Sequence, residues 1–198
     1  MLQNFLAVPA AVLVSLTGFV LLISRDWRIS IFTLAAQYAG VFILVILSWS
    51  VELAAVKLVA GWMAGAVLGM ALASLPKEIS IFRPLDLTGI LFRFILTTLI
   101  LLVMISLAPR MARWVPGVVF AQTYAGTIMI GLGLVHLGLT ANPLRTILGL
   151  LTLFSGFEIL YASVEASILV AGLLAGINLG LALVGAYLLT VPIAETSG

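Results

Sequence analysis

The sequence has no cysteine, a single histidine and few charges, since only 8% of its residues are Asp, Glu, Lys or Arg. The missing cysteine excludes disulfide scaffolds, thiolate nucleophiles, iron–sulfur clusters and cysteine-ligated zinc in this chain. Nine basic and seven acidic residues leave a net charge of +2, an excess too small to indicate nucleic acid as a partner. The sequence also lacks a Ser-His-Asp set, paired carboxylates, a phosphate-binding loop and a metal-ligand cluster. It therefore predicts no catalytic residue and no metal site.

What the chain has in abundance is apolar sequence, with 64% hydrophobic residues and a mean hydropathy of +1.33. Such a composition leaves too little polar surface for a water-soluble fold and predicts an integral membrane protein in contact with the lipid bilayer. Helices are expected, because open strands cannot satisfy their backbone groups in lipid and about 20 helical residues cross a core of ~30 Å. The seven predicted spans are residues 5–24, 29–49, 53–75, 89–108, 118–139, 146–162 and 166–189.

The most informative pattern is an internal duplication. Residues 58–72, LVAGWMAGAVLGMAL, recur as residues 169–183, LVAGLLAGINLGLAL, with ten of fifteen positions identical at an offset of 111 residues. Chance would give roughly two matches in a window of this composition, so common descent of the two copies is the better interpretation. Ser-Val-Glu precedes both copies, at residues 50–52 and 163–165.

The duplication divides the chain into three parts. Residues 1–75 are predicted to form a first three-helix repeat, and residues 118–198 a second one. Between them, residues 76–117 hold a polar surface segment at residues 76–86 and a linking transmembrane helix. Because four helices separate the starts of the two copies, both enter the membrane in the same direction. The predicted fold is all-α and integral to the membrane, with seven transmembrane helices in two parallel three-helix repeats joined by a linking helix.

Basic residues predict the orientation of the chain. With the N-terminus outside and the C-terminus inside, six basic residues lie at inner corners and three at outer corners, as the positive-inside tendency requires. The inner residues are Arg25, Arg28, Lys77, Arg83, Arg93 and Arg145, and the outer ones are Lys57, Arg110 and Arg113.

Glycines recur at every fourth position of the duplicated helix. They are Gly61, Gly65, Gly69, Gly172, Gly176 and Gly180. A helix face of small residues lets another backbone approach closely, so these glycines are predicted to pack against other helices.

Two polar residues lie deep within predicted spans. Glu158 is about 20 Å along its helix from Arg145, well inside the membrane, where a carboxyl is costly and typical of a proton or sodium path. The alternative is a protonated carboxyl that hydrogen-bonds a neighbouring helix. Asn178, at the position of Val67 in the first copy, is able to hydrate the same ion path or to bind another helix.

The remaining polar residues have simpler interpretations. Lys57, Glu52 and Glu165 lie near helix ends and are expected to reach water as snorkelling side chains. His136 is expected to form a hydrogen bond at the membrane interface. Three more polar residues are expected to be buried without any functional constellation around them, and they are Gln37, Tyr38 and Gln122.

One predicted helix ends in GLGLVHLGLTAN, residues 142–150 read NPLRTILGL, and an acidic helix and a small-residue-rich helix follow. With these features, residues 131–189 resemble the three-helix K subunit of complex I and its relatives. The most specific part is the corner Leu144-Arg145-x-Ile147-x-Gly149. The length, the seven spans and the duplication are more similar still to the E component of hydrogenase-4 and formate-hydrogenlyase-type complexes, a K-like subunit with an extra copy in front.

The chain departs from these families at the acidic positions. The K pattern places its intramembrane Glu near Leu151 and the hydrogenase pattern near Phe154, whereas the carboxyl here is Glu158, on the same helix face and deeper. Where the families have a second acid, this chain has Asn178 at a comparable depth. The resemblance therefore implies at most one relay acid.

The resemblance implies a non-catalytic subunit of an energy-converting complex in a prokaryotic cytoplasmic membrane. Its partners would be other integral membrane subunits of the antiporter-like type, and hydrogenase or NADH dehydrogenase chemistry would reside in partners, so the chain itself needs no cofactor. Glu158 would contribute to proton or sodium translocation. Two alternatives stay open: a stand-alone carrier of small molecules or ions, and a structural membrane anchor.

Overall fold

A computed structural model describes residues 2–75, 87–114, 118–139 and 142–191 of the chain. In these ranges it contains seven helices and no strand. They are α1 (Leu2–Ile23), α2 (Trp27–Val45), α3 (Val51–Ala73), α4 (Leu87–Trp114), α5 (Phe120–Gly138), α6 (Pro143–Ala162) and α7 (Ile168–Thr190). All seven are long and apolar enough to cross a membrane, which confirms the predicted all-α membrane architecture. The predicted surface segment, residues 76–86, lies outside the described residues.

Short polar residues at the corners explain where several helices begin. The carboxylate of Asp26 accepts a hydrogen bond from the Arg28 backbone N–H at 2.8 Å at the start of α2. Asn142 accepts from the Leu144 N–H at 3.1 Å at the start of α6, where Pro143 takes the first helical position. Ser50 and Ser167 cap α3 and α7 in the same way. These side chains satisfy backbone donors that have no partner within the helix.

The Ser-Val-Glu similarity is not structurally equivalent in the two copies. Ser50 caps the first turn of α3, with Val51 and Glu52 already helical. Ser163 instead follows the last turn of α6, and Glu165 lies in the corner before α7. The duplication therefore holds in the helices themselves and not in the corners that precede them.

The linking helix α4 is longer than predicted. It continues beyond residue 108 through Pro109, Arg110 and Arg113 to Trp114. Only 6% of its most apolar stretch, within Gly89–Trp114, is buried. The helix contacts mainly α5 and, less extensively, α1. Because the helix lies at the edge of the bundle, the arginines at its end remain exposed and no packing contact forces it to stop.

The first helix group, α1 to α3, packs against the second helix group, α5 to α7, and each helix contacts its counterpart in the other group. Helix α1 contacts α5, α2 contacts α6 and α3 contacts α7, in addition to the contacts between sequence neighbours. The indole N–H of Trp49 also donates to the backbone carbonyl of Glu165 at 2.8 Å, which joins the groups at one end. We name that end, which holds the α2–α3 and α6–α7 corners, the Glu165 end. The opposite end, with the α1–α2 and α5–α6 corners, is the Arg145 end.

The closest helix approach joins α5 and α6 and involves glycines that the sequence pattern did not single out. A Cβ added at Gly126 would lie 2.9 Å from the Gly156 carbonyl oxygen, and one at Gly133 would lie 2.7 Å from the Leu153 backbone nitrogen. Backbone contacts this close exclude any side chain at these positions. The second helix group is therefore held together mainly through α5 and α6.

Candidate functional site

The candidate site is a buried ion pair between the two helix groups. The Nζ atom of Lys57 on α3 lies 2.5 Å from Oε1 of Glu158 on α6, and both side chains are 0% exposed. The amide nitrogen of Asn178 on α7 donates to the same carboxylate oxygen at 3.1 Å. Three helices thus meet at one carboxyl group, which the sequence had identified by its depth alone.

The prediction for Lys57 is wrong. The residue was expected to reach water because it lies only about 9 Å along α3 from the start of the helix. In the fold its side chain projects from the face that α3 buries, in register with Ala54, Ala60 and Ala64. The spacing of three or seven residues from these small side chains, which places all four residues on one helix face, was the signal available in the sequence.

Asn178 and Lys57 stand at positions where the duplicated copies differ. The residue of the first copy that corresponds to Asn178 is Val67, and the residue of the second copy that corresponds to Lys57 is Ile168. The ion pair and its amide partner therefore have no equivalent elsewhere in the duplicated sequence. Each copy contributes part of one asymmetric site.

Polar side chains continue from the ion pair toward the Arg145 end. The amide nitrogen of Gln37 donates to the Thr152 hydroxyl at 3.3 Å, and the Tyr38 hydroxyl lies beside Ser155 and within electrostatic range of Glu158. The sequence showed no constellation of polar residues around Gln37 and Tyr38, and in the fold both have polar neighbours on α6. Only the fold brings α2 against α6.

Several polar atoms of this group have no hydrogen-bond partner in the described part of the chain. They are Gln37 Oε1, Tyr38 Oη, Glu158 Oε2 and Asn178 Oδ1. On the Glu165 side of the pair lies an apolar cluster that includes Val45, Ala54 and Ile159, and the buried amide of Gln122 on that side bonds to the end of α2. The polar group around Glu158 thus extends toward the Arg145 end.

Gln122 lies away from this group. Its amide nitrogen donates to the Leu44 carbonyl and to the Ser48 hydroxyl, each at 2.9 Å, and its amide oxygen accepts from the Val119 N–H at 3.2 Å. These bonds join α5 to the end of α2. Gln122 is a structural residue of that contact.

The Arg145 end holds a second group of polar side chains. Arg145 is 4% exposed and donates from Nη2 to the Ser24 carbonyl at 2.5 Å. Arg25, in the α1–α2 corner, has its pKa lowered by partial burial and by the nearby charge of Arg93. His136 was expected to form an interfacial hydrogen bond, but it is 1% exposed and its Nε2 has no partner among the described residues.

The predicted glycine faces have different surroundings. A methyl group at Gly61 would overlap the ring of Tyr38, and Gly65 and Gly69 face Leu34 and Ile31 at ordinary contact distance. Nothing lies within 4 Å of a Cβ built at the three glycines of the second copy, which are Gly172, Gly176 and Gly180. Among the residues that the structure describes, therefore, only the first glycine face packs against a helix. Packing of the second face against a partner subunit stays a prediction.

The geometry limits the chemistry of the site to binding and releasing a proton or holding a charge. Glu158 and Lys57 can exist as an ion pair or, after one proton transfer, as a neutral pair, and either partner can exchange a proton with a polar neighbour. Away from water both forms are sensitive to any change in the nearby charges.

No protein-family model, no curated protein and no solved structure matches this chain.

Proposed function

We propose that this chain is a non-catalytic membrane subunit of a complex I-related energy-converting complex, of the hydrogenase or dehydrogenase type, and that Glu158 takes part in ion translocation. The observation that carries the proposal is the Lys57–Glu158 pair, buried at 0% exposure between helices that are apolar enough to span a membrane. The motif around Arg145 supplies the class of complex.

A purely structural role explains the pair poorly. Removing two charges from water costs more than their attraction returns in many proteins, and a well-packed apolar pair is often as stable or more stable. In a membrane the cost of ionisable groups is higher again, and such residues mark ion paths and proton relays. Function is therefore the better reason for the presence of this pair.

The surroundings of the carboxyl favour a proton over sodium. The Lys57 ammonium occupies the position beside Oε1 that a bound cation would take. Lys57, Glu158 and the Tyr38 hydroxyl all carry exchangeable protons, whereas a sodium site needs several oxygen ligands and no competing cation. The polar group from Glu158 to Gln37 and Thr152 supplies the beginning of a path toward the Arg145 end.

The family resemblance supports a subunit role at the corner before α6. Arg145 binds the Ser24 carbonyl, and a Cβ at Gly149 would lie 3.1 Å from the Cβ of His136, so both residues of the motif take part in helix packing. Leu151, where the K pattern has its acid, belongs to an apolar cluster. In the proposed subunit the relay acid is therefore Glu158, further along α6 than the family position, with Lys57 opposite it.

A stand-alone carrier finds less support in the cavities. A cavity of about 530 Å³ between α1, α4 and α5 is lined by apolar side chains such as Val12, Leu16 and Ile128. It is open to the side of the bundle, and its lining has no charged side chain and only the hydroxyls of Ser15 and Tyr124, the first of which donates to the Ala11 carbonyl.

The test uses the complex isolated from native membranes through a tag on this chain. Antiporter-like and redox subunits should co-purify, and the complex in proteoliposomes should pump ions during turnover. Changing Glu158 alone would leave Lys57 without its counter-charge, so the informative variant is Lys57→Gln with Glu158→Gln. This double variant keeps hydrogen bonding and removes both charges.

We expect the double variant to assemble and to retain redox turnover while ion pumping falls at least tenfold. The matched control is Glu165→Gln, which removes an exposed carboxylate from the corner between α6 and α7. This control should change neither redox turnover nor ion pumping. Normal pumping by the double variant would refute the role of Glu158. Robust transport by the purified chain alone would favour the carrier instead.

A further inference from the structure

The cavity between α1, α4 and α5 lies apart from the buried ion pair. Helices α1 and α4 both pack against α5 but contact each other far less, which leaves a gap between them. The buried side chains of Ala121 and Ala125 on α5 form its inner wall. At the end that Phe19 lines, its ring meets Phe94 of α4 edge to face, with the ring centroids 5.6 Å apart. The three helices thus surround a cavity of about 530 Å³ that opens to the side of the bundle.

The lining of this cavity favours a hydrocarbon ligand. Among the described residues, the lining holds no charged side chain, and its hydroxyls are those of Ser15 and Tyr124. The Ser15 hydroxyl already donates to the Ala11 carbonyl at 2.7 Å. An ion or a polar solute would lose its hydration here without gaining new partners. A pocket with such a lining binds an apolar molecule.

The cavity has the length of one leaflet of the bilayer. It begins at Phe120, the first residue of α5, at the Glu165 end of the bundle. Along α1 it extends from Val8 to Phe19, which is about 16 Å of helix. One leaflet contributes about 15 Å to a hydrocarbon core of ~30 Å. Val8 and Val12 are 60% and 52% exposed, so lipid has access to the cavity from the side.

The volume of the cavity fits one hydrocarbon chain. A methylene group is about as large as a water molecule, which takes roughly 30 Å³ in the liquid, so 530 Å³ holds on the order of 15 to 20 such groups. A helix with its side chains is about 10–12 Å across, and ~16 Å of it would need more than about 1,000 Å³. The cavity is therefore too small for a helix of a partner subunit and large enough for a single acyl chain.

We propose that this cavity binds one acyl chain of a phospholipid from the leaflet at the Glu165 end and holds it more tightly than the surrounding lipids. The tail of a polyprenyl quinone is also a hydrocarbon chain, but a quinone ring needs polar partners. The lining offers such a ring little besides the Tyr124 hydroxyl. The proposal is independent of the function of Glu158.

The test measures ligand retention by native mass spectrometry of the full-length chain after detergent exchange. The three probes are dipalmitoyl phosphatidylglycerol, dioctanoyl phosphatidylglycerol and a polyprenyl quinone, each titrated separately. We expect one dipalmitoyl lipid to be retained by each protein molecule. The dioctanoyl lipid should bind about tenfold more weakly, because its shorter chain buries less apolar surface in the cavity.

Filling the cavity should displace the lipid. Ser15→Phe and Val12→Phe each add a phenyl group to the lining and should lower the affinity for the dipalmitoyl lipid about tenfold, because the ring takes the space of several methylene groups. Val12 is half-exposed, so its variant keeps the test valid if Ser15→Phe does not fold. The matched control is Ala66→Phe, which adds the same ring at an exposed position of α3 outside the cavity and should leave binding unchanged.

Three results would overturn the proposal. The first is wild-type affinity in both cavity variants or an equal loss in the Ala66→Phe control. The second is equal binding of the dipalmitoyl and dioctanoyl lipids, since the cavity would then not hold the length of the chain. The third is displacement of the lipid by a lower concentration of the quinone, which would make the quinone the ligand.

Discussion

Helices α3 and α7 carry nearly the same sequence but have different neighbours. In α3 the glycine face is covered by α2, whose Tyr38 ring fills the space above Gly61. In α7 the corresponding face, beginning at Gly172, contacts no other part of the described chain closely. The small-residue surface is therefore present in both copies, whereas in the described part of the chain only the first copy packs it against another helix. What a small-residue face does depends on the helix opposite it.

The same two helices carry different polar residues at the contact between them. Lys57 belongs to the first copy, and Asn178 belongs to the second. Both reach Glu158 of α6. Differences at single positions of the two copies thus give one buried polar site between otherwise similar helices.

The largest expected effect comes from breaking the ion pair. Lys57→Met should lower the free energy of unfolding by about 3–5 kcal/mol, because it leaves a buried carboxylate without its partner. Adding Glu158→Leu to the same chain should restore stability to near the wild-type value. Unfolding of the purified chain in detergent measures both. If the single variant were no less stable than the double variant, the pair would not be an ionised one.

The second prediction compares equivalent glycines. Gly61→Ala should destabilise the chain by about 1–3 kcal/mol, because the added methyl group overlaps the Tyr38 ring. Gly172→Ala, at the same position of the second copy, should change stability by no more than about 0.5 kcal/mol. Thermal unfolding of the two isolated variants tests the difference. Equal effects would mean that the two faces are equally packed.

A smaller effect is expected when the second copy is made more like the first. Asn178→Val removes the hydrogen bond to Glu158 and should cost about 1 kcal/mol, the usual value for such bonds between helices in a membrane. Val67→Leu, an apolar change at the equivalent position, is the control for altered packing. A loss above about 3 kcal/mol would show that Asn178 contributes more than one such hydrogen bond.

The smallest effect on the isolated chain is expected at the open glycine face. Gly176→Leu should leave unfolding of the purified chain within about 0.5 kcal/mol of the wild-type value, since no neighbour lies within 4 Å. In the complex that we propose, the same change should prevent assembly by overpacking the contact with a partner helix. Native electrophoresis that shows an intact complex would contradict this use of the face.

Local sequence properties predicted much of the architecture. Hydropathy and length gave seven helices, because crossing a membrane depends on the residues of one segment alone. The depth of Glu158 followed from counting residues along a single helix. The extension of α4 through Pro109 and Arg110 was missed, because a peripheral helix continues past residues that would end a packed one.

The contacts between segments could not be read from the sequence. Lys57 and Glu158 are 101 positions apart, and no local pattern indicates that α3 and α6 are neighbours. The polar surroundings of Gln37 and Tyr38 could not be read from the sequence, because they arise from the packing of α2 against α6. For the same reason, the identical spacing of glycines could not distinguish the covered face of α3 from the open face of α7.

The sequence by itself thus determined that this is a seven-helix membrane protein with a duplicated helix and a carboxyl deep in one span, since each of these is a property of a continuous stretch. Only the tertiary structure decided that the carboxyl has a lysine as its partner and which glycine face is covered. The physical reason is that burial and pairing depend on the side chains that an adjacent helix presents. That information is distributed over residues about a hundred positions apart in the chain.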